Sequence, residues 1–125
     1  LLQQCPQCLN EVMTKVETIM TMLTEKGQFA EKELLARFLM KVEPDNLLRH
    51  FQLAESMFRQ KKYDEAIHEF EYVLLHAPES PRAAGMMNEA CDGLNSPEIC
   101  LNAWQRIIEA NPNAKVPQQY REGNP

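Results

Sequence analysis

Apolar residues recur along this chain at alternating spacings of three and four. Leu9, Val12, Val16, Ile19 and Leu23, with Met13 and Met20 beside them, mark an amphipathic helix from about Pro6 to Lys26. Pro6 suits its first turn, where a missing N–H costs nothing. Gly27 interrupts the pattern, and a second run, Leu34, Leu35, Phe38, Leu39 and Val42, is stopped by Pro44. A short break between two amphipathic helices predicts an antiparallel hairpin. Asn46 can cap a third run from Leu47 to Gln60, with Leu48, Phe51, Leu53, Ala54, Met57 and Phe58 as its apolar residues. Tyr63 leads into a fourth run to His76, ended by Pro78. Ser80-Pro81 caps and opens a fifth, whose periodic part is Ala83 to Cys91. After Gly93, the pair Ser96-Pro97 introduces a sixth, Glu98 to Ala110, ended by Pro112. Strand signals are almost absent, so the pattern predicts an all-α chain of three hairpins.

The three hairpins repeat one another. Pro44, Pro78 and Pro112 are 34 residues apart, and each closes a helix. Phe70 and Trp104 share that period, as do Leu53 with Met87, Ile67 with Leu101, Leu74 with Ile108, and Phe29 with Tyr63. A fixed period in this range signals a stacked repeat architecture. The division it gives is 1–12 as an N-terminal extension of the first helix, then hairpins at 13–46, 47–80 and 81–114. Residues 115–125 are then a C-terminal tail or the start of a truncated next helix.

The middle hairpin reads His50-x2-Leu53-Ala54-x2-Met57, then Ala66-x3-Phe70, then Pro78. In this it resembles the tetratricopeptide repeat, whose pattern places an aromatic, Leu-Gly and Tyr, then Ala, an aromatic and Pro at these offsets. The third hairpin keeps Trp104 and Pro112 but has Asn88 and Cys100 at positions where small residues are usual, and Pro97 at the start of its second helix. The first keeps Val16, Ile19, Leu23, Phe29 and Pro44, with Lys32 and Ala36 where Ala and an aromatic belong. The resemblance implies antiparallel hairpins stacked as a short right-handed superhelix of about three repeats, the first one degenerate. It also implies a protein–protein interaction domain, an adaptor or scaffold, and no catalysis within these residues.

In tetratricopeptide proteins the first helices of successive hairpins line a concave groove that holds a peptide or a partner's helix. By that resemblance the binding residues here are Leu48, Phe51, Glu55, Phe58, Arg59, Arg82 and Glu89, joined by Glu17, Thr21 and Asp92. The alternative is that Phe51 and Phe58 are hairpin packing residues, because aromatics at helical spacing usually face a core. Domains of this family that clamp the acidic C-terminal tails of the chaperones Hsp70 and Hsp90 do so with Lys, Asn and Arg side chains. The corresponding positions here are Glu17, Thr21, Gln52, Arg82 and Met86, of which only Arg82 fits. With Glu17, Glu55 and Glu89 nearby, the expected partner is a neutral, apolar or basic segment, and the acidic chaperone tail is excluded.

Composition narrows the picture further. The 125 residues are 44% hydrophobic and 25% charged, enough for one modest domain. Thirteen basic against 18 acidic residues give a net charge of -5, which repels phosphate backbones and argues against nucleic acid. No apolar run is long enough to span a bilayer. Four cysteines are too few for a disulfide-dense secreted scaffold, so a reducing, cytoplasmic setting is expected, with the endoplasmic reticulum lumen as the alternative.

Candidate chemistry adds little. Cys5-Pro-Gln-Cys8 has the spacing of half a zinc site or a redox pair, but no second knuckle and no βαβ context accompany it, so two thiols at a helix start are expected. Cys91 and Cys100 face each other across one hairpin, either as small buried hydrophobes, the preferred reading, or as a bridge formed in an oxidising lumen. Glu65-x-x-His68 has di-iron ligand spacing without the second pair and further Glu residues such a site needs. No metal, no cofactor and no nucleophile are predicted. A coiled-coil dimer through the first helix would need more than its two heptads. Two further alternatives stay open: a substrate-docking module of a larger enzyme, resembling the tetratricopeptide regions of luminal prolyl and aspartyl hydroxylases, and a self-assembly module. The short polar stretch after Pro112 leads to one more expectation. Either the third hairpin's outer face is bare and drives self-association, or more structure follows in a longer protein.

Overall fold

The computed structural model describes residues 5–114 and 116–117. Those residues form six helices and no strand: α1 (Pro6–Glu25), α2 (Phe29–Val42), α3 (Leu47–Arg59), α4 (Tyr63–His76), α5 (Pro81–Gly93) and α6 (Pro97–Ala110). They pair as three hairpins stacked in chain order. The α3–α4 hairpin sits in the middle, with α2 packed on α3 at one side and α5 and α6 packed on α4 at the other. The fold is an all-α tetratricopeptide-like array.

The 34-residue period is visible in the backbone. α2, α4 and α6 are closed by the C-cap residues Glu43, Ala77 and Asn111, each directly before a proline. A following proline ring clashes with the α conformation and drives the preceding residue toward extended geometry. Accordingly these three residues have φ of -129, -140 and -142°. Their N–H groups donate to Leu39, Val73 and Ile107, and the N–H groups of Asn46, Ser80 and Ala114 then donate back to the carbonyls of Glu43, Ala77 and Asn111. Asn46 goes on to cap α3 by accepting from the Leu48 N–H at 2.9 Å, and Ser80 caps α5 by accepting from Ala83 at 3.3 Å.

The turns inside the hairpins are less uniform. Gly27 and Lys61 occupy equivalent positions and share a left-handed backbone, with φ of 69 and 66°. Glycine adopts this conformation freely, whereas a lysine there is strained. The third hairpin abandons the left-handed turn: α5 ends with Leu94 in extended conformation, and Gly93 lies against the ring of Tyr63.

The core runs through the stack as Met20, Leu53, Met57, Ile67, Phe70, Leu74, Met87, Trp104 and Ile107. Phe70 and Trp104 are fully buried, and the first hairpin places the small, buried Ala36 at the corresponding position. One further slot, four residues earlier, holds Lys32, Ala66 and Cys100 in the three hairpins, all buried. Ala66 lets α3 and α4 approach closely. Cys100 is joined to Cys91 by a disulfide, their Cα atoms 5.8 Å apart, and Cys5 is likewise joined to Cys8. The expectation of free thiols is thereby corrected: the α5–α6 turn brings the two Cα atoms within bridging distance, and the first turn of α1 does the same for Cys5 and Cys8.

Ion pairs fasten the hairpins to one another. Arg106 on α6 makes two parallel hydrogen bonds to the Glu71 carboxylate on α4, at 2.6 and 2.8 Å. Glu33 on α2 accepts from Gln60 at 2.8 Å, Lys62 at 3.0 Å and Arg37 at 2.9 Å. Beyond α6, Ala114 is buried and Val116 packs against the core, and together with Ala84, Gly85, Asn88, Asn113 and Pro117 they line an open depression on the third hairpin. Most of the exposed large apolar side chains lie on the first hairpin, Leu34, Phe38 and Val42 among them, while Ile99 is exposed on the third.

Candidate functional site

A depression of about 230 Å³ opens between α1 and α3, at the edge of α5. Four of the residues assigned to a groove meet there: Leu48, Phe51 and Glu55 from α3, and Arg82 from α5. Glu17 and Thr21 of α1 join them. Phe58, Arg59 and Glu89 line no part of it. Phe58 turns toward Tyr63, with ring centres 6.0 Å apart, and the Arg59 guanidinium lies 5.4 Å from the Phe58 ring. Glu89 and Asp92 are exposed on α5, beyond the depression. The last turn of α3 approaches the first turn of α4, so aromatic contacts within the hairpin claim Phe58. The packing alternative holds for Phe58.

For Phe51 both readings hold at once. Its ring meets Phe70 edge-on at 6.0 Å, while the Arg82 guanidinium lies 5.0 Å from its centre. The side chain is half-buried, with Leu48 exposed beside it.

Glu55 forms the floor. Its carboxylate is buried, accepting from Lys32 Nζ at 2.5 Å and from Arg82 Nη2 at 3.4 Å. Lys32 is only 2% exposed. Its ammonium also donates to Thr24 Oγ1 at 2.8 Å, so one side chain from α2 ties together α1 and α3 beneath the groove. A charge this far from water persists only when paired and hydrogen-bonded.

A second buried cation lies beside it. Arg49 is 1% exposed and forms ion pairs with Glu17 at 2.6 Å and Glu43 at 2.8 Å, and donates to Gln52 Oε1 at 3.0 Å. Gln52 in turn donates to Glu17 at 3.3 Å. Glu17 and Glu55 therefore do not act as free carboxylates in the groove, and Glu89 lies outside it. That leaves exposed Leu48 beside the half-buried Phe51 ring, with Thr21, whose hydroxyl donates to the Glu17 carbonyl at 3.0 Å, lining the same depression.

Among the described residues no three His, Cys, Asp or Glu side chains group to hold a metal ion. Glu65 and His68 lie exposed at the junction of α2 and α4, near Arg37 and Glu69. Elsewhere, burial pushes the Glu33 carboxyl up, but the hydrogen bonds from Lys62, Gln60 and Arg37 outweigh it and hold the group below the ordinary carboxylate range. No helix among the described residues is long and apolar enough to cross a membrane.

Lys32, Thr24 and Arg49 escaped the periodicity, which counts apolar positions only. One signal was available: Lys32 stands in the register of Ala66, and a long cation in a small-residue slot must reach past its own helix.

With this geometry in place, one comparison with known families decides the middle of the chain. Residues 48–80 match the tetratricopeptide repeat. The matched segment covers the α3–α4 hairpin and closes at the α5 cap. No curated protein and no solved structure matches the chain. Tetratricopeptide repeats mediate protein–protein interaction, and the flanking hairpins extend this one with the same helix-ending backbone at Glu43 and Asn111.

Proposed function

We propose that the groove between α1 and α3 binds a segment of a partner protein, and that Leu48 and Phe51 are its anchors. The observation that carries this reading is the state of Phe51. One edge is fixed in the core against Phe70, the Arg82 guanidinium lies over the ring, and the half-buried side chain stands beside exposed Leu48. A rigid, partly exposed aromatic next to an aliphatic side chain is the usual form of a binding anchor. Because Glu55 and Glu17 are already paired with cations, the ligand is an apolar or neutral segment. A basic side chain finds the exposed carboxylate of Glu25 at the rim. An acidic tail gains little, because Lys32 and Arg82 are both engaged by Glu55.

Selection from a displayed library of random peptides tests this. Enriched sequences should carry a large apolar residue, and their binding should fall at least tenfold with Leu48→Glu while circular dichroism is unchanged. Binders indifferent to Leu48→Glu and Phe51→Ala would place the interaction elsewhere.

The two disulfides favour a second reading, in which the same array serves as a docking module in an oxidising compartment. Mass spectrometry of thiol-blocked protein recovered from its source distinguishes them. Cys91 and Cys100 joined supports the oxidising compartment, and both alkylated supports the cytoplasm.

A further inference from the structure

The groove between α1 and α3 already holds a cation on its aromatic anchor. Arg82 reaches from the first turn of α5 to α3, where its guanidinium lies over the Phe51 ring, 5.0 Å from the centre. There Nη2 also donates to Glu55 Oε2 at 3.4 Å. The seat is thus an aromatic face beside one oxygen of a buried carboxylate, a combination suited to a flat cation.

Arg82 holds that seat loosely. Its side chain is 68% exposed and its bond to Glu55 is long, whereas Arg106 grips Glu71 through two bonds at 2.6 and 2.8 Å. The charge of Glu55 is already met by Lys32, bonded to the other oxygen, Oε1, at 2.5 Å. Arg82 is therefore the second cation on one carboxylate. Its own helix does not favour it there either: the dipole opposes a positive charge in the first turn of α5, and no acidic residue in that turn offsets it. Thirty-four residues earlier the same register position is Leu48, which also lines the depression. One position of the repeat thus points an aliphatic side chain into the groove from α3 and a guanidinium from α5.

Resting on the groove reading above, we propose that Arg82 occupies the seat of an arginine of the partner and yields it on binding. The ligand is then an apolar segment that places one large residue on Leu48 and one arginine on the face of Phe51. Exchange of one guanidinium for another leaves the charge balance at Glu55 unchanged, and the exposed Glu25 carboxylate at the rim adds to the attraction. A neutral side chain in the seat forgoes the cation–π contact. An acidic one meets the carboxylates of Glu17 and Glu25, which line the same depression. In the free protein Arg82 competes for its own groove, and the apparent affinity is reduced in proportion to the fraction of chains whose seat is empty.

A displayed library of random short peptides, selected in parallel on the wild type and on Arg82→Gln, tests this. Peptides whose binding falls with Leu48→Glu should carry an arginine at a fixed distance from their large apolar residue. Such a peptide, synthesised, should bind Arg82→Gln about three- to tenfold more tightly than the wild type, as expected when a competitor that fills most of the seat is removed. An isomer with its arginine moved out of that spacing has the same charge and should show little of the gain. On the wild type, norleucine in place of the arginine should weaken binding by about threefold or more, a readout that does not depend on how the variant folds. Leu48-dependent peptides without arginine overturn the inference and leave the groove standing. So does an arginine peptide that gains nothing from Arg82→Gln, or an isomer that gains as much. Peptides indifferent to Leu48→Glu, or a selection that yields none, remove the groove reading and this one with it.

Discussion

Lys32 crosses from α2 to meet Glu55 on α3 at 2.5 Å, and both side chains are almost wholly removed from water. The pair lies directly under the proposed groove and links two hairpins, so its loss has a structural cost separable from binding. Removing one partner of a buried pair costs more than removing both, because the survivor keeps its charge with less compensation; Glu55 would retain only Arg82, at 3.4 Å. Lys32→Met should therefore destabilise the protein by about 3 kcal/mol. Adding Glu55→Gln should restore much of that loss. Urea unfolding of the two single variants and the double variant checks the cycle, and additive losses would mean that the two charges are not coupled.

Acid should loosen the junction between the first and second hairpins. Glu33 titrates below its ordinary value near 4.5, held there by Lys62, Gln60 and Arg37 against the opposing effect of burial. A carboxyl depressed in the folded state binds its proton less readily than in the unfolded chain. Its contribution is complete above pH 4.5 and fades as pH falls through the lower folded value. Melting temperature should drop across that acidic window, and Glu33→Gln should flatten the drop while lowering stability at neutral pH. An unchanged slope in Glu33→Gln would assign the acid sensitivity to other groups.

Lys61 holds a left-handed backbone, φ 66°, in the turn where the first hairpin uses Gly27. Its side chain is exposed and makes no ion pair among those of the described residues. Lys61→Gly should stabilise the protein by about 0.5–1 kcal/mol, the relief of the strain less the added flexibility of the unfolded chain. Thermal denaturation suffices, and a lower melting temperature would show that the lysine contributes more than its backbone costs.

Gly93 closes α5 against Tyr63, and a methyl group there would stand 2.7 Å from the ring carbons Cε2 and Cζ. Gly93→Ala should cost about 1–3 kcal/mol through overpacking, despite alanine's better helix propensity. In a Tyr63→Leu background the same change should cost much less. Equal costs in both backgrounds would remove the ring as the cause.

How much of this could be read beforehand varies by residue. The helices were legible because prolines and caps punctuate them: Pro44, Pro78 and Pro112 end three helices, and Asn46 and Ser80 start two, as expected. α5 and α6 begin one or two residues earlier than their apolar periodicity, at Pro81 and Pro97, because proline at the first position supplies backbone and no apolar signal. The groove was half legible. Leu48, Phe51, Glu55 and Arg82 converge, but Phe58 and Arg59 were drawn to the α3–α4 turn by Tyr63, a contact between sequence neighbours that spacing along one helix does not report. Buried Lys32 and Arg49 were opaque because a charged residue normally reads as surface. Composition points to free thiols at Cys91 and Cys100, although the turn between α5 and α6 makes their disulfide geometrically easy.

The slot shared by Lys32, Ala66 and Cys100 gives each hairpin a different fastening at the same place: ionic in the first, steric in the second, covalent in the third. The three fastenings therefore differ in what undoes them: a reducing agent opens the Cys91–Cys100 bond of the third hairpin, while the Lys32–Glu55 pair, held away from water and little screened by salt, and the close approach at Ala66 are untouched by it.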